Sequence, residues 1–225
     1  ESTATTERSY RQRKSLLGDI VDSRAIYLGK PSASYSDTYN PGYSSFMADH
    51  ARRTPLVLVG ANDGMLHAFD ATDGIEGGRE LFAMIPHALF EGPDGNPEVS
   101  GLQALARKTY AHRYYMNATP EIRDVDFART GGKLDSFPPG LAPDWRTLMV
   151  VGQGKGGRSF VAMDVTRIAA SGSEADIAQK VLWEFTHPDM GFSFGRPLIA
   201  KTRRWGWVVI VTGGYNNTRG KQPGR

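Results

Sequence analysis

A strand-turn-strand unit occurs twice in this chain, as LVLVGANDGMLHAFDATDG over residues 56–74 and as LMVVGQGKGGRSFVAMDVT over residues 148–166. Each copy passes from an apolar strand through a Gly-rich turn into a second strand that closes on Asp. A repeated supersecondary unit narrows the choice of fold sharply. One copy cannot bury its own apolar face, so neighbouring copies must stack to make the core.

The flanking segments extend each copy to four strands. The first set reads 25–28, 56–59, 65–70 and 80–85, and the second reads 120–127, 147–151, 159–164 and 181–185. A third set begins with 197–200 and 207–211. Turn signals such as Asn62-Asp63-Gly64 and Thr72-Asp73-Gly74 separate the strands, which is the pattern of antiparallel β-propeller blades. The expectation is an all-β fold, a partial β-propeller of roughly two and a half four-stranded antiparallel blades over residues 16–217, with one short inserted helix. A polar N-terminal tail, 1–15, and a C-terminal tail, 218–225, flank it. Propellers close into rings of roughly four to eight blades, so the chain reads as a piece of a larger domain.

Composition agrees with a turn-rich β chain, because 225 residues with 26 Gly and 13 Pro suit hairpins better than helices. The 27 basic and 24 acidic residues leave a net charge of +3, too balanced to argue for nucleic acid. The basic cluster Arg8, Arg11, Arg13 and Lys14 reads as solvated charge in an uncored tail. The absence of cysteine excludes a disulfide framework and thiolate metal sites. No stretch approaches the roughly 18 apolar residues of a membrane span.

Two insertions interrupt the blades. Residues 30–54 are rich in Ser, Tyr and Gly and read as a long surface loop. The tyrosines at 35, 39 and 43 are four apart, yet Pro41 and the Ser/Gly content argue against a helix. The loop is either loosely packed or a binding surface of the Tyr-Ser-Gly kind. In the second insertion, 87–118, Leu102, Leu105 and Thr109 fall at helical spacing behind Ser100 as a cap, which predicts the one short helix.

Chemistry-bearing patterns match in spelling and fail in context. Gly152-Gln153-Gly154-Lys155-Gly156-Gly157 has the G-x-G-x-x-G spacing of dinucleotide sites, but the strand-like Ser159-Phe160-Val161-Ala162-Met163-Asp164 follows where a helix is required. The glycines read as a wide hairpin connection. Gly191-Phe192-Ser193-Phe194-Gly195 spells a nucleophile elbow, but Pro197 and Leu198-Ile199 continue as strand and no histidine follows. The histidines at 50, 67, 87, 112 and 187 form no zinc-binding pair and read as ordinary polar or half-buried residues. No D-x-[DN]-x-[DN]-G loop is present. Asp63, Asp70, Asp73 and Asp164 read as turn residues accepting backbone hydrogen bonds. No catalytic, cofactor-binding or metal-ligating residue is assigned.

A family resemblance rests on segments in series. They are LGDIVDS over 17–23, VGANDGMLHAFD over 59–70, His112-Arg113-Tyr114-Tyr115, Trp145-Arg146-Thr147, Gly156-Gly157-Arg158 before AMDVT over 162–166, VLWEF over 181–185 and Gly214-Tyr215-Asn216-Asn217. In these the chain resembles the C-terminal β-propeller, quinoprotein-dehydrogenase-like in fold, of the PilC/PilY family of type IV pilus biogenesis and tip-adhesin proteins. The resemblance implies a non-enzymatic surface or secreted protein at the pilus tip or outer membrane that supports pilus assembly, twitching motility and attachment. It implies pilins, minor pilins and a host or surface ligand as partners. The family's calcium loop of the D-x-D-x-D-G type belongs to a later part of the propeller, so calcium is expected of the parent protein beyond residue 225 and of no residue here.

The competing reading is a pyrroloquinoline-quinone-dependent dehydrogenase, which the ending AFDATDG over 68–74 also resembles; a generic scaffold propeller is a third. Trp183 would be a docking-motif tryptophan in the enzyme and a blade-packing residue in the adhesin. No convergent set of carboxylates, amides and aromatics supports an enzyme.

Overall fold

A computed structural model describes residues 10–169 and 172–215. Arg8, the last two residues of the final family segment and the 218–225 tail lie outside the described residues. The first sheet comprises β1 (Ile26–Leu28), β2 (Leu56–Gly60), β3 (Leu66–Asp70) and β4 (Glu80–Met84), hydrogen-bonded in that order. The second comprises β5 (Glu121–Asp126), β6 (Trp145–Gly152), β7 (Phe160–Asp164) and β8 (Val181–Phe185). A third sheet pairs β9 (Leu198–Thr202) with β10 (Gly206–Ile210). Every ladder is antiparallel. These are the three blade units expected from the repeat, and the sheets do not close into a ring.

The period of two along each strand explains why the sheets stack face to face. Successive side chains point to opposite faces of a strand. In β6, Met149 and Val151 enter the core shared with the first sheet, whereas Leu148 and Val150 enter the core shared with the third. In β7, Val161 and Met163 face the first sheet, and Phe160 and Ala162 face the third. Leu58, Leu66, Ala68 and Phe82 meet them from one side, and Ile199 and Trp207 from the other. The second sheet is therefore apolar on both faces, which a lone antiparallel sheet in water could not be.

Three expectations need correction. The described residues contain four short α-helices, not one: α1 (Tyr43–Asp49), α2 (Ala88–Glu91), α3 (Leu102–Ala106) and α4 (Glu174–Ala178). Of these, α3 occupies the predicted place, but Gly101 is its N-cap and Ser100 Oγ donates instead to the Asn96 carbonyl. Thr109 falls outside it. At α4, Ser173 and Asp176 form a reciprocal capping box.

The 30–54 insertion is neither loose nor a tyrosine-presenting surface. Pro41 and Gly42 precede the helix instead of breaking it, and Tyr43 and Phe46, one turn apart, are both buried. Tyr35 and Tyr43 pack on Trp145 with ring centroids 5.8 and 4.8 Å away, and only Tyr39 of the three tyrosines is well exposed. Tertiary burial here overrides a composition that disfavours helix, as it does for most short helices. Finally, Trp183 lies on the outermost strand β8 and is 36% exposed, so the side chain of β8 that packs on the core is Leu182.

Candidate interaction surface

Antiparallel alternation sorts the connections onto two ends of the sheets. One end carries residues 10–25, the 61–65 turn, the 85–120 insertion, the 153–159 turn and the 186–197 connection. The other carries 29–55, 71–79, 127–144, 165–169 and 172–180.

At the first end the connections are tied to one another from blade to blade. Asn62 N donates to Asp19 O at 2.9 Å, and its Nδ2 to Asp19 Oδ2 at 2.8 Å. Tyr115 N donates to Asn62 Oδ1 at 3.1 Å, and Met116 N to Ala61 O. Asn117 then bridges onward: its N–H reaches Gln153 O, and its Nδ2 donates to Asp22 Oδ2 at 2.6 Å. Ser193 completes the series, its Oγ accepting from Gln153 N at 2.8 Å and donating to Gly157 O at 3.2 Å.

The repeated Gly in LVLVG and LMVVG has its reason in this series. A Cβ on Gly60 would meet Met116 O at 2.6 Å, and a Cβ on Gly152 would meet Ser193 O at 2.6 Å. Each carbonyl belongs to the segment leading into the next blade, so the same close approach recurs one unit later. The repeated Asp is equally regular, since Asp70 and Asp164 accept from Thr72 N and Thr166 N at 2.8 and 2.9 Å. Both are turn residues, as expected.

The two sequence matches to catalytic motifs become structural here. A short 3₁₀ turn, Gly154–Gly156, and then β7 follow Gly152, so no helix N-terminus is offered to a phosphate. Ser193 is fully buried with its hydroxyl engaged, unlike an exposed nucleophile.

The sequence reading missed His67 and the N-terminal strap. His67 is 4% exposed and lies between two carboxylates, Nδ1 2.5 Å from Glu80 Oε1 and Nε2 3.1 Å from Asp63 Oδ1. Burial alone would lower its pKa, but the hydrogen bonds to Asp63 and Glu80 raise it above the ordinary value. Burial would raise Asp63, yet bonds from His67 and from Gly18 N at 2.6 Å hold it below the usual carboxylate range. A cross-strand His with acids in the adjacent turn and next strand was the available signal.

Residues 11–24 are tied to the blades although most of their side chains stay exposed. Arg11 N donates to Ala106 O, its guanidinium lies 3.6 Å over the Tyr110 ring, and Arg13 Nη2 is 3.8 Å from Asp63.

Exposed apolar side chains concentrate on this tied end: Leu16, Ile20, Val21, Phe90, Phe194 and Tyr215. Phe194 stacks on Tyr215 at 4.9 Å. Among the described residues no group of three or more His, Asp or Glu converges as a metal site, and no helix is long and apolar enough to cross a membrane.

The sequence matches the PilY1 beta-propeller domain family over residues 17–222. The chain belongs to that family. It is 32% identical to the type IV pilus biogenesis factor PilY1 of Pseudomonas aeruginosa strain UCBPP-PA14 over 94% of its length. It is 33% identical to a PilY1 homolog of Xylella fastidiosa strain Temecula1 over 92% of its length. The alignments span 16% and 15% of those relatives, so the chain covers a small part of each. The crystal structure of the P. aeruginosa PilY1 C-terminal domain superposes with a TM-score of 0.56 at 32% identity, covering 85% of this chain and 32% of that one. The PilY1 propeller is thus the setting in which the tied end and its apolar side chains are to be understood.

Proposed function

We propose that this chain is a non-enzymatic part of the propeller of a type IV pilus biogenesis factor, and that its tied end docks pilus subunits. Membership of the PilY1 propeller family over most of the chain carries this reading. The structure supports a scaffold role, because connections from three successive sheets are fixed to one another while their apolar tips stay exposed. The parent protein acts at the cell surface or the pilus, supports twitching motility, and contributes to attachment through a host or surface ligand.

The test replaces Val21, Phe194 and Tyr215 with Ser in the parent protein, in bacteria that assemble pili. Surface pili and twitching zones should shrink while the protein accumulates normally. Normal piliation and twitching with all three replaced would remove the docking role. Turnover of an alcohol by the purified protein with pyrroloquinoline quinone and calcium would overturn the non-enzymatic reading.

A further inference from the structure

A cleft of about 320 Å³ opens between the first strands of the first and second sheets, on the side opposite the outer strands β4 and β8. Its walls are polar, and their charges do not balance. Of its two carboxylates, Glu121 is occupied by Arg196, whose Nε and Nη2 lie 2.7 and 2.6 Å from Oε2. Asp124 accepts from Tyr43 OH at 2.6 Å and from Thr147 Oγ1 at 2.7 Å. Both acids are therefore engaged by other groups.

The remaining cations are only partly matched, since Arg123 has no more than a long ion pair to Glu121 and Arg53 no direct bond to a carboxylate among the described residues. Among the described residues Arg53, which reaches into the cleft wall, donates only to neutral oxygens, Gly29 O and Thr147 Oγ1 at 2.6 Å and Thr166 O at 3.4 Å. Burial pushes its guanidinium below the ordinary pKa, with Asp124 only partly offsetting the effect. Arg123 has a buried Nε with no hydrogen-bond partner among the described residues, and its Nη2 is 4.0 Å from Glu121. Lys30 stands exposed at the rim. A buried donor without an acceptor is costly, and a guanidinium fork matches the geometry of a carboxylate.

The backbone around the cleft narrows the ligand further. Among the described residues β1 pairs only with β2, and β5 only with β6, so each presents there a free edge of N–H and C=O groups. An extended peptide can pair with such an edge, whereas a small anion cannot. We propose that this cleft binds an extended acidic segment of a partner polypeptide, with an Asp or Glu side chain of that segment held by Arg123 and Arg53 and steered by Lys30. This proposal does not depend on the pilus reading, since it names a charge and a backbone edge and no pilus component.

The test is a titration of the full parent protein with a fluorescent tetraglutamate peptide at low salt, with tetraglutamine, acetate and inorganic phosphate as comparison probes. The wild type should bind tetraglutamate and not tetraglutamine, and the affinity should fall as salt is raised. Arg123→Gln should weaken binding about tenfold or more, and Lys30→Gln by a smaller factor. Lys30 is exposed, so its variant keeps the test decisive even where Arg123→Gln lowers stability. Lys108→Gln, away from the cleft, should leave binding unchanged. Equal binding by all variants, equal binding of tetraglutamine, or binding of phosphate or acetate without the peptide would each overturn the proposal.

Discussion

Between the first and second sheets the buried side chains are mostly aliphatic or sulfur-bearing, Leu58, Leu66, Met149, Val161 and Met163 among them. Between the second and third they are dominated by rings: Tyr43, Phe46, Trp145, Phe160 and Trp207. The first interface is made largely by strands facing strands. The second recruits the 30–54 insertion of the first blade, which reaches over the second sheet to the third. There Trp145 Nε1 donates to Pro41 O at 2.8 Å, and Lys201 Nζ donates to Tyr39 O at 2.6 Å. Aliphatic packing imposes volume alone, whereas Tyr43 and Trp145 also fix their polar tips on Asp124 and the Pro41 carbonyl. The aromatic interface is therefore the more specific of the two and the less tolerant of change.

The largest expected difference follows from volume. Trp145→Ala removes a ring that touches Tyr35, Tyr43, Phe46 and Trp207 together. It should cost about 3–5 kcal/mol in urea unfolding of the propeller. Met149→Ala in the aliphatic interface should cost less, about 2–3 kcal/mol, because flexible neighbouring side chains collapse into the space. Equal losses would mean that the 30–54 insertion adds nothing to the second interface.

A smaller effect isolates the polar tips. Tyr43→Phe keeps the ring and deletes a hydroxyl that donates to Asp124 and accepts from Ala33 N at 3.0 Å. The loss leaves a buried carboxylate one donor short and should cost about 1–3 kcal/mol. Thermal unfolding of the single variant, and of a double-mutant cycle with Thr147→Val, measures it. The cycle should show coupling, because both hydroxyls serve the same Asp124.

Outside both interfaces, the His67 node gives a pH dependence that neither core supplies. Its pKa is raised above 6.5, so its stabilising contribution is fully present below pH 6.5 and is lost as pH rises through the folded value. Asp63 is lowered below 3.8, so its contribution is present above that pH and lost as pH falls through the folded value. Stability of the wild-type propeller should decline as pH rises above 6.5 through the folded His67 value, and His67→Gln should flatten that decline. The effect is moderate, since the Glu80 side chain is 47% exposed and its pairing is screened by solvent. An unchanged slope in His67→Gln would assign the pH dependence to another group.

What could be read from the sequence was whatever repeats. The strands recur with matching alternation, and the Gly of LVLVG and LMVVG and the Asp of AFD and AMD recur because the same close approach and the same turn recur. What escaped was whatever occurs once and over long separations. Helix α1 is stabilised by Trp145 and its neighbours, about a hundred residues away, so local Ser and Gly content gave the wrong answer there. Lys30 and Arg53 stand near the two ends of the 30–54 insertion and Arg123 lies on β5, and only the stacking of β1 beside β5 gathers them into one cleft. The His67 node combines a turn, a strand and its neighbour at separations of 4 and 13 residues, which match no metal or catalytic spacing.

The smallest expected effect is also the finest test of the contrast between the interfaces. Tyr35 packs into the same ring cluster as Tyr43, yet its hydroxyl is buried without a hydrogen-bond partner among the described residues, as is Trp207 Nε1. A buried hydroxyl with no partner is a liability, so deleting it recovers the cost of its desolvation while the ring contacts remain. Tyr35→Phe should therefore leave stability within about 0.5 kcal/mol of wild type or raise it, although the chemical change is identical to Tyr43→Phe. Unfolding curves of the two variants side by side decide the matter. If Tyr35→Phe loses as much as Tyr43→Phe, the polar tips are not what distinguishes this interface, and ring volume alone explains its sensitivity.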